Sequence, residues 1–184
     1  MRILIVYGST EGHTRHLCQF LARALIGAGD DVTVYDAASG MAGLIVSSFD
    51  LIFLAASLHV GHYQAGLVQF ARSNHEFLNT AATAFISVSL SAAGENPDDW
   101  EGLEQCLARF LHETRWMPKS VYQAEGAIRY SQYDFFKRLA IKYIANKHGL
   151  QTVNSRDYDL TDYDALKNFV LSFADGERPK HITG

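Results

Sequence analysis

The sequence predicts an α/β fold, a doubly wound parallel sheet with helices on both faces, and three observations carry that prediction. Short apolar runs bounded by turn residues alternate with amphipathic stretches of helical period. The apolar runs are mostly continuous rather than alternating in polarity, as parallel strands covered on both faces require. The first run opens into a loop of glycines and hydroxyls that leads directly into a helix. At 184 residues the chain is read as one domain with room for a full core.

Taken in order, the first strand is Arg2–Tyr7, an apolar run too short for a signal peptide and broken at Gly8. The first helix is Thr14–Ala28, with Leu17, Phe20, Leu21, Ala24, Leu25 and Ala28 on one stripe and Gly29 as its stop. The second and third strands are Val32–Tyr35 and Leu51–Ala55, followed by a helix over Gln64–Leu78. Strand Ala84–Val88, helix Pro97–Thr114, strand Val121–Gly126 and a last helix complete the alternation. No internal repeat, low-complexity tract or linker interrupts it, and no apolar run reaches the roughly 20 residues of a membrane span.

Charge and cysteine usage narrow the function. A net charge of −4 and a pI near 6.0 argue against a general nucleic-acid binder. The two cysteines, Cys18 and Cys106, fall inside predicted helices without CxxC or metal spacing, which suits a reduced, cytoplasmic compartment.

The loop Gly8-Ser9-Thr10-Glu11-Gly12-His13-Thr14 is a candidate phosphate cradle. The first N–H groups of a helix have no intrahelical partner, and the helix dipole favours negative charge there. Neither the Lys-Ser/Thr ending of a triphosphate loop nor the GxGxxG of a dinucleotide fold is present. Ser9, Thr10 and Thr14 supply neutral donors, suited to one monoester phosphate. In a doubly wound sheet ligands sit at the carboxyl ends of the strands, where two companion loops are expected. These are Ala56-Ser57-Leu58-His59-Val60-Gly61-His62-Tyr63 and Ser89-Leu90-Ser91-Ala92-Ala93-Gly94. A phosphate tail on a flat polar ring system fits all three; the plainer alternative is a tight strand-to-helix turn with no ligand. His59 and His62 lack a carboxylate or cysteine at metal-binding spacing, so no metal is expected.

The stretch from Arg129 to about Tyr158 is far longer than an ordinary connection in such a fold. Phe136, Leu139, Ala140, Tyr143 and Ile144 share one helical face. Arg129, Lys137, Arg138, Lys142 and Lys147 face only Asp134 in charge, so the stretch carries about +4 and the rest of the chain about −8. Such a basic amphipathic segment has three readings: packing on the sheet, contact with anionic lipid, or contact with an anionic ligand.

With these loops the chain resembles the flavodoxin-like family, whose members bind FMN. Ala56–Tyr63, Phe85–Leu90 and Gly126-Ala127-Ile128-Arg129-Tyr130 make it most similar to that family's menaquinone-dependent protoporphyrinogen IX dehydrogenases of bacterial haem synthesis. The resemblance implies five parallel strands in the order 2-1-3-4-5, with the 129–158 stretch as an insertion at the fifth strand. It implies FMN held by Ser9, Thr10, Glu11, Gly12, His13, Thr14, Ser57, Leu58, His59, Tyr63, Ser89, Leu90, Ser91 and Gly94. Tyr63 has two readings, stacking on the flavin ring or capping the following helix. Arg129, Tyr130, Lys137 and Arg138 are the substrate-side candidates, Arg129 and Tyr130 being either a carboxylate clamp or a turn. The third loop has no aromatic residue, which leaves the ring's face to Leu90 or to a tyrosine of the insertion.

The implied activity is oxidation of protoporphyrinogen IX to protoporphyrin IX in three two-electron cycles, with the flavin as the redox group. The implied acceptor is a membrane quinone, which brings a cytoplasmic protein to the inner face of the membrane. Two alternatives stand beside it: a flavodoxin-type electron carrier, and an NAD(P)H-dependent quinone reductase.

Overall fold

The computed structural model describes residues 1–40, 43–93, 97–128 and 158–179. Gly94, the substrate-side candidates Arg129, Tyr130, Lys137 and Arg138, and the amphipathic face from Phe136 to Ile144 lie outside the described residues.

Strands β1 (Arg2–Gly8), β2 (Asp31–Asp36), β3 (Leu51–Ser57), β4 (Ala82–Ser89) and β5 (Ser120–Glu125) form one parallel sheet in the order β2-β1-β3-β4-β5. Helices α1 (His13–Gly27), α2 (Ala65–Leu78), α3 (Pro97–Thr114) and α4 (Tyr163–Glu177) flank it. This is the architecture the alternation predicts. A short antiparallel pair, β6 (Ala127–Ile128) and β7 (Tyr158–Asp159), goes beyond the predicted alternation; it joins the residues on either side of positions 129–157.

Alternate residues of the central strands feed opposite cores, as the pleat dictates. Ile3, Ile5, Phe53 and Ile86 pack under α1 and α4 with Leu17, Leu21, Leu166 and Val170. Leu4, Val6, Ile52, Leu54 and Phe85 pack under α2 and α3 with Leu67, Phe70, Phe110 and Trp116. β1 and β3 are buried on both faces, which explains why their sequences lack polar alternation. Each such side chain contributes about 1.5–3 kcal/mol of burial energy. Trp116 is fully buried because its indole N–H donates to Thr83 Oγ1 at 3.1 Å, removing the cost of an unmet donor.

The expected stripe of α1 is rotated. Cys18 and Ala22 are buried with Leu17, Leu21 and Leu25, whereas Ala28 is exposed at the helix end. Burial pushes the Cys18 thiol well above its ordinary range, so it is packing rather than chemistry. The buried Asp30 carboxylate receives the Met1 amino group at 2.9 Å and Arg178 at 2.7 Å, joining the start of β1 to the end of α4.

Several predicted boundaries shift. β1 continues to Gly8 and β3 to Ser57, because both stay in register with a neighbouring strand. β5 ends at Glu125 rather than Gly126. Gly126 turns its N–H onto Ser89 O at 2.9 Å, and a Cβ there would lie 3.2 Å from the Ser89 carbonyl carbon. Any larger residue there would have to push the Ser89–Leu90 backbone back by a few tenths of an ångström.

Candidate functional site

The carboxyl ends of β1, β3 and β4 open into one cleft. Ser9, Thr10, Glu11, His13 and Thr14 line it from the first loop, Ser57 to Gly61 from the second, and Val88 to Ser91 from the third. Gly126 and Ala127, absent from the predicted cofactor residues, close it from beyond β5. Among the described residues no lysine or arginine lines the cleft.

The first loop leaves donors unmet. Gly12 has φ of 84°, a left-handed conformation with open space where a side chain would sit, and its N–H donates to Ser9 Oγ at 2.9 Å. α1 then starts with no side-chain cap on its first amides. Thr14 is 1% exposed, lines the cleft and has a hydroxyl with no hydrogen-bond partner. A buried hydroxyl left unmet costs about 1–3 kcal/mol, and a phosphate monoester at this helix start would meet it together with the free amides. The residues present therefore fit a phosphate held by neutral donors.

His13 is turned sideways rather than into the cradle alone. Its Nε2 lies 3.1 Å from Thr161 Oγ1 and 3.8 Å from Asp159 Oδ1. Thr161 already donates its proton to Glu125 O at 2.8 Å, so the imidazole N–H is the donor in the His13 contact. Asp159 also receives the Tyr163 hydroxyl at 2.5 Å and the Thr161 N–H at 3.1 Å. Burial pushes its carboxyl up, but these bonds and the charge of His13 bring it below the usual carboxylate range. Burial, then the bond to Asp159, pushes the Tyr163 phenol far up. This cluster ties the start of α1 to β7 and α4.

The second loop is a tight hairpin. His59 and His62 exchange backbone bonds of 2.8 and 3.0 Å, with Val60 (φ 49°) and Gly61 (φ 76°) at the turn. Leu58 N–H bonds Val88 O at 2.7 Å, and Arg109 of α3 donates to Gly61 O at 3.3 Å. Val60 is 74% exposed on the cleft rim.

Tyr63 corrects an expectation. It neither lines the cleft nor caps α2; it is 7% exposed, and Gln64 occupies the cap position without a side-chain cap bond. Its ring packs on Phe85 and Phe110 at centroid distances of 5.2 and 4.8 Å, and its hydroxyl bonds Ser87 Oγ at 2.9 Å. Burial pushes the phenol up to about 12. It is a core residue because α2 and α3 close over it, a long-range fact that no local pattern carries.

In the third loop Ser89 Oγ accepts the Ala92 N–H at 3.1 Å, which forms the turn at Ser91–Ala93. Leu90 and Ser91 line the cleft from that turn. Among the described residues no cluster of three His, Cys, Asp or Glu side chains is arranged to hold a metal. None of their helices is long and apolar enough to cross a membrane.

Two proteins named protoporphyrinogen IX dehydrogenase [quinone] are similar along most of their length. The one from Leishmania major is 28% identical over 177 residues, 94% of this chain and 74% of that protein. The one from Escherichia coli K12 is 28% identical over 175 residues, 95% of each chain. Among solved structures, oxidised flavodoxin 1 from Bacillus cereus matches with a TM-score of 0.51 and 15% identity, over 82% of this chain and all of that one. Rubredoxin oxygen:oxidoreductase from Desulfovibrio gigas matches with a TM-score of 0.55 and 12% identity. That match covers 96% of this chain and only 36% of the larger enzyme. The flavodoxin domain model matches residues 4–155, which include the whole sheet except its first two residues and all three cleft loops. The order of the strands, the loops at their carboxyl ends and this match agree: the chain belongs to the flavodoxin domain family.

Proposed function

We propose that this chain holds FMN in the cleft and oxidises protoporphyrinogen IX to protoporphyrin IX, passing the electrons to a membrane quinone. The observation that carries the reading is the cradle, where the buried Thr14 hydroxyl and the uncapped start of α1 await an anion. The names of the relatives, matched over nearly the whole chain, supply the substrate.

When bound, FMN supplies the capacity to accept a hydride or single electrons. The chain's own residues do the holding. Ser9, Thr10, Thr14 and Ser57 offer hydroxyls to the phosphate, and Gly12 keeps the approach open. Leu58, Val60, Val88, Leu90 and Ala127 give the rest of the cleft an apolar lining suited to a flat ring and to excluding water. Arg129 follows Ala127 by two residues, so the chain can bring its guanidinium to the cleft mouth. There, with Lys137 and Arg138, it would meet the substrate's propionates. The same basic stretch is the part of an otherwise acidic chain suited to an anionic membrane surface, where a bilayer-bound quinone is reached. This reading places the protein in the cytoplasm, peripherally on the membrane.

The test begins with the absorbance spectrum of the purified protein, which should show bound flavin. Anaerobic protoporphyrinogen IX with a menaquinone analogue should then be turned over by FMN-loaded protein; no turnover overturns the porphyrinogen reading and leaves the electron carrier and the NAD(P)H-dependent quinone reductase. Reversing Lys137, Arg138 and Lys142 to Glu should weaken turnover or binding to anionic liposomes without changing flavin content. If both are unaltered, the insertion's basic face has no part in the reaction.

A further inference from the structure

One residue connects the first two cleft loops without lining the cleft. Gln64 Nε2 donates to Thr10 Oγ1 at 3.0 Å and to Ser57 Oγ at 2.7 Å. Its backbone is fixed on both sides: the Gln64 carbonyl accepts the N–H groups of Leu67 and Val68 at 3.0 and 3.1 Å, and Tyr63 before it is buried. Its other amide atom, Oε1, is buried with no partner, packed against Gly8. A Cβ on Gly8 would lie 2.9 Å from Gln64 Cβ and 3.0 Å from Oε1, so the glycine makes the room for this side chain.

The direction of these bonds matters. A hydroxyl has one proton to give and lone pairs to receive, whereas an amide NH₂ only gives. With Oε1 against Gly8 the amide leaves one acceptor unmet, where the flipped amide would leave two N–H donors unmet. Gln64 therefore gives to both hydroxyls, and their own protons remain for a third group. Neither hydroxyl has another bond among the described residues. Ser9 follows the same rule, since its Oγ accepts from Gly12 N–H, and Thr14 Oγ1 has no partner at all. Four cleft hydroxyls thus have protons uncommitted to the protein, and two of them are set that way by one side chain.

We propose that Gln64 is a positioning residue that commits the Thr10 and Ser57 hydroxyls to donate into the cleft, and so selects a phosphorylated flavin over the same flavin without its phosphate. The inference rests on the reading that the cradle holds the phosphate of FMN. Gln64→Glu inverts the pattern, because a carboxylate only accepts. It would draw both hydroxyl protons inward and add negative charge behind the phosphate. Gln64→Met fills similar space and removes the donor without adding charge.

The full chain, freed of flavin, is titrated with FMN and with riboflavin, and melting curves confirm that each variant is folded. Wild type should bind FMN more tightly than riboflavin. Gln64→Glu should weaken FMN by about 100-fold and Gln64→Met by about 10-fold, with riboflavin changed by less than about threefold in both. Equal losses for the two flavins, or no loss of FMN, overturn the positioning role and leave Gln64 a structural link. If wild type itself does not distinguish FMN from riboflavin, the phosphate reading of the cradle fails first, and the inference falls with it. Ser57→Ala with Thr10→Val supplies the cross-check: in that background Gln64→Met should have no further effect on FMN, and a full additional loss counts against the proposal.

Discussion

The first and second cleft loops lie on adjacent strands, yet they are finished in opposite ways. In the first, the Thr14 hydroxyl has no partner, α1 starts uncapped, and the Ser9 and Thr10 hydroxyls only accept. In the second, the His59 and His62 backbones satisfy each other, Arg109 holds Gly61 O, Leu58 is tied to Val88, and Tyr63 is bonded to Ser87 beneath. The contrast separates two kinds of work. From Leu58 to Tyr63 the second loop is complete as folded and acts as a wall, while its first residue, Ser57, shares the uncommitted hydroxyl of the first loop. The first loop keeps donors unmet, and the buried Thr14 hydroxyl is a standing cost to the ligand-free protein.

The strongest test of that contrast lies in the wall. Tyr63→Ala should destabilise the fold by about 3 kcal/mol in urea unfolding, by leaving a cavity beside Phe85 and Phe110. FMN affinity of the folded protein should change less than about threefold. A large loss of FMN with little loss of stability would return Tyr63 to the ring and erase the distinction between the loops.

Thr14→Val is the opposite experiment and comes next in size. FMN affinity should fall by about 30-fold, near 2 kcal/mol for one hydrogen bond to a charged group, while the ligand-free protein gains about 1 kcal/mol. Stability and binding moving in opposite directions is the signature of a donor kept for a ligand. Unchanged flavin affinity in calorimetry would make Thr14 an ordinary buried threonine.

The smallest effect concerns the tie that holds the first loop from the side. The Asp159 carboxyl is lowered in the folded protein relative to about 3.9 in the unfolded chain. A lowered carboxyl contributes stability that is present above the unfolded value and is lost as pH falls through the folded one. Asp159→Asn should therefore flatten the fall of stability below about pH 4. An acid limb as steep as wild type's would show that the His13, Thr161 and Tyr163 contacts do not bear on Asp159 in solution.

Much of this molecule is legible in one dimension. Continuous apolar runs at β1, β3 and β4 announce doubly covered strands, and Gly8 to Thr14 announces a cradle, because burial on both faces and a helix start each require particular residue types locally. The place of Tyr63 is not legible in the sequence, for the converse reason. A tyrosine between a strand and a helix carries no sign of the Phe110 and Ser87 that enclose it. Gln64 had no motif at all, and Gly126 became visible only through its approach to Ser89. The β6–β7 pair joins residues far apart in sequence, in stretches too short to show a period.

By itself, then, the sequence determined the layers, the parallel strands and the candidate phosphate loop. Those follow from hydrophobic period and from donors that neighbouring residues cannot satisfy. Tertiary structure alone decided which hydroxyls stay free. Whether a hydroxyl gives or receives depends on the group opposite it, and for Thr10, Ser57 and Ser87 that group is brought across a strand or helix by the packing of the whole sheet.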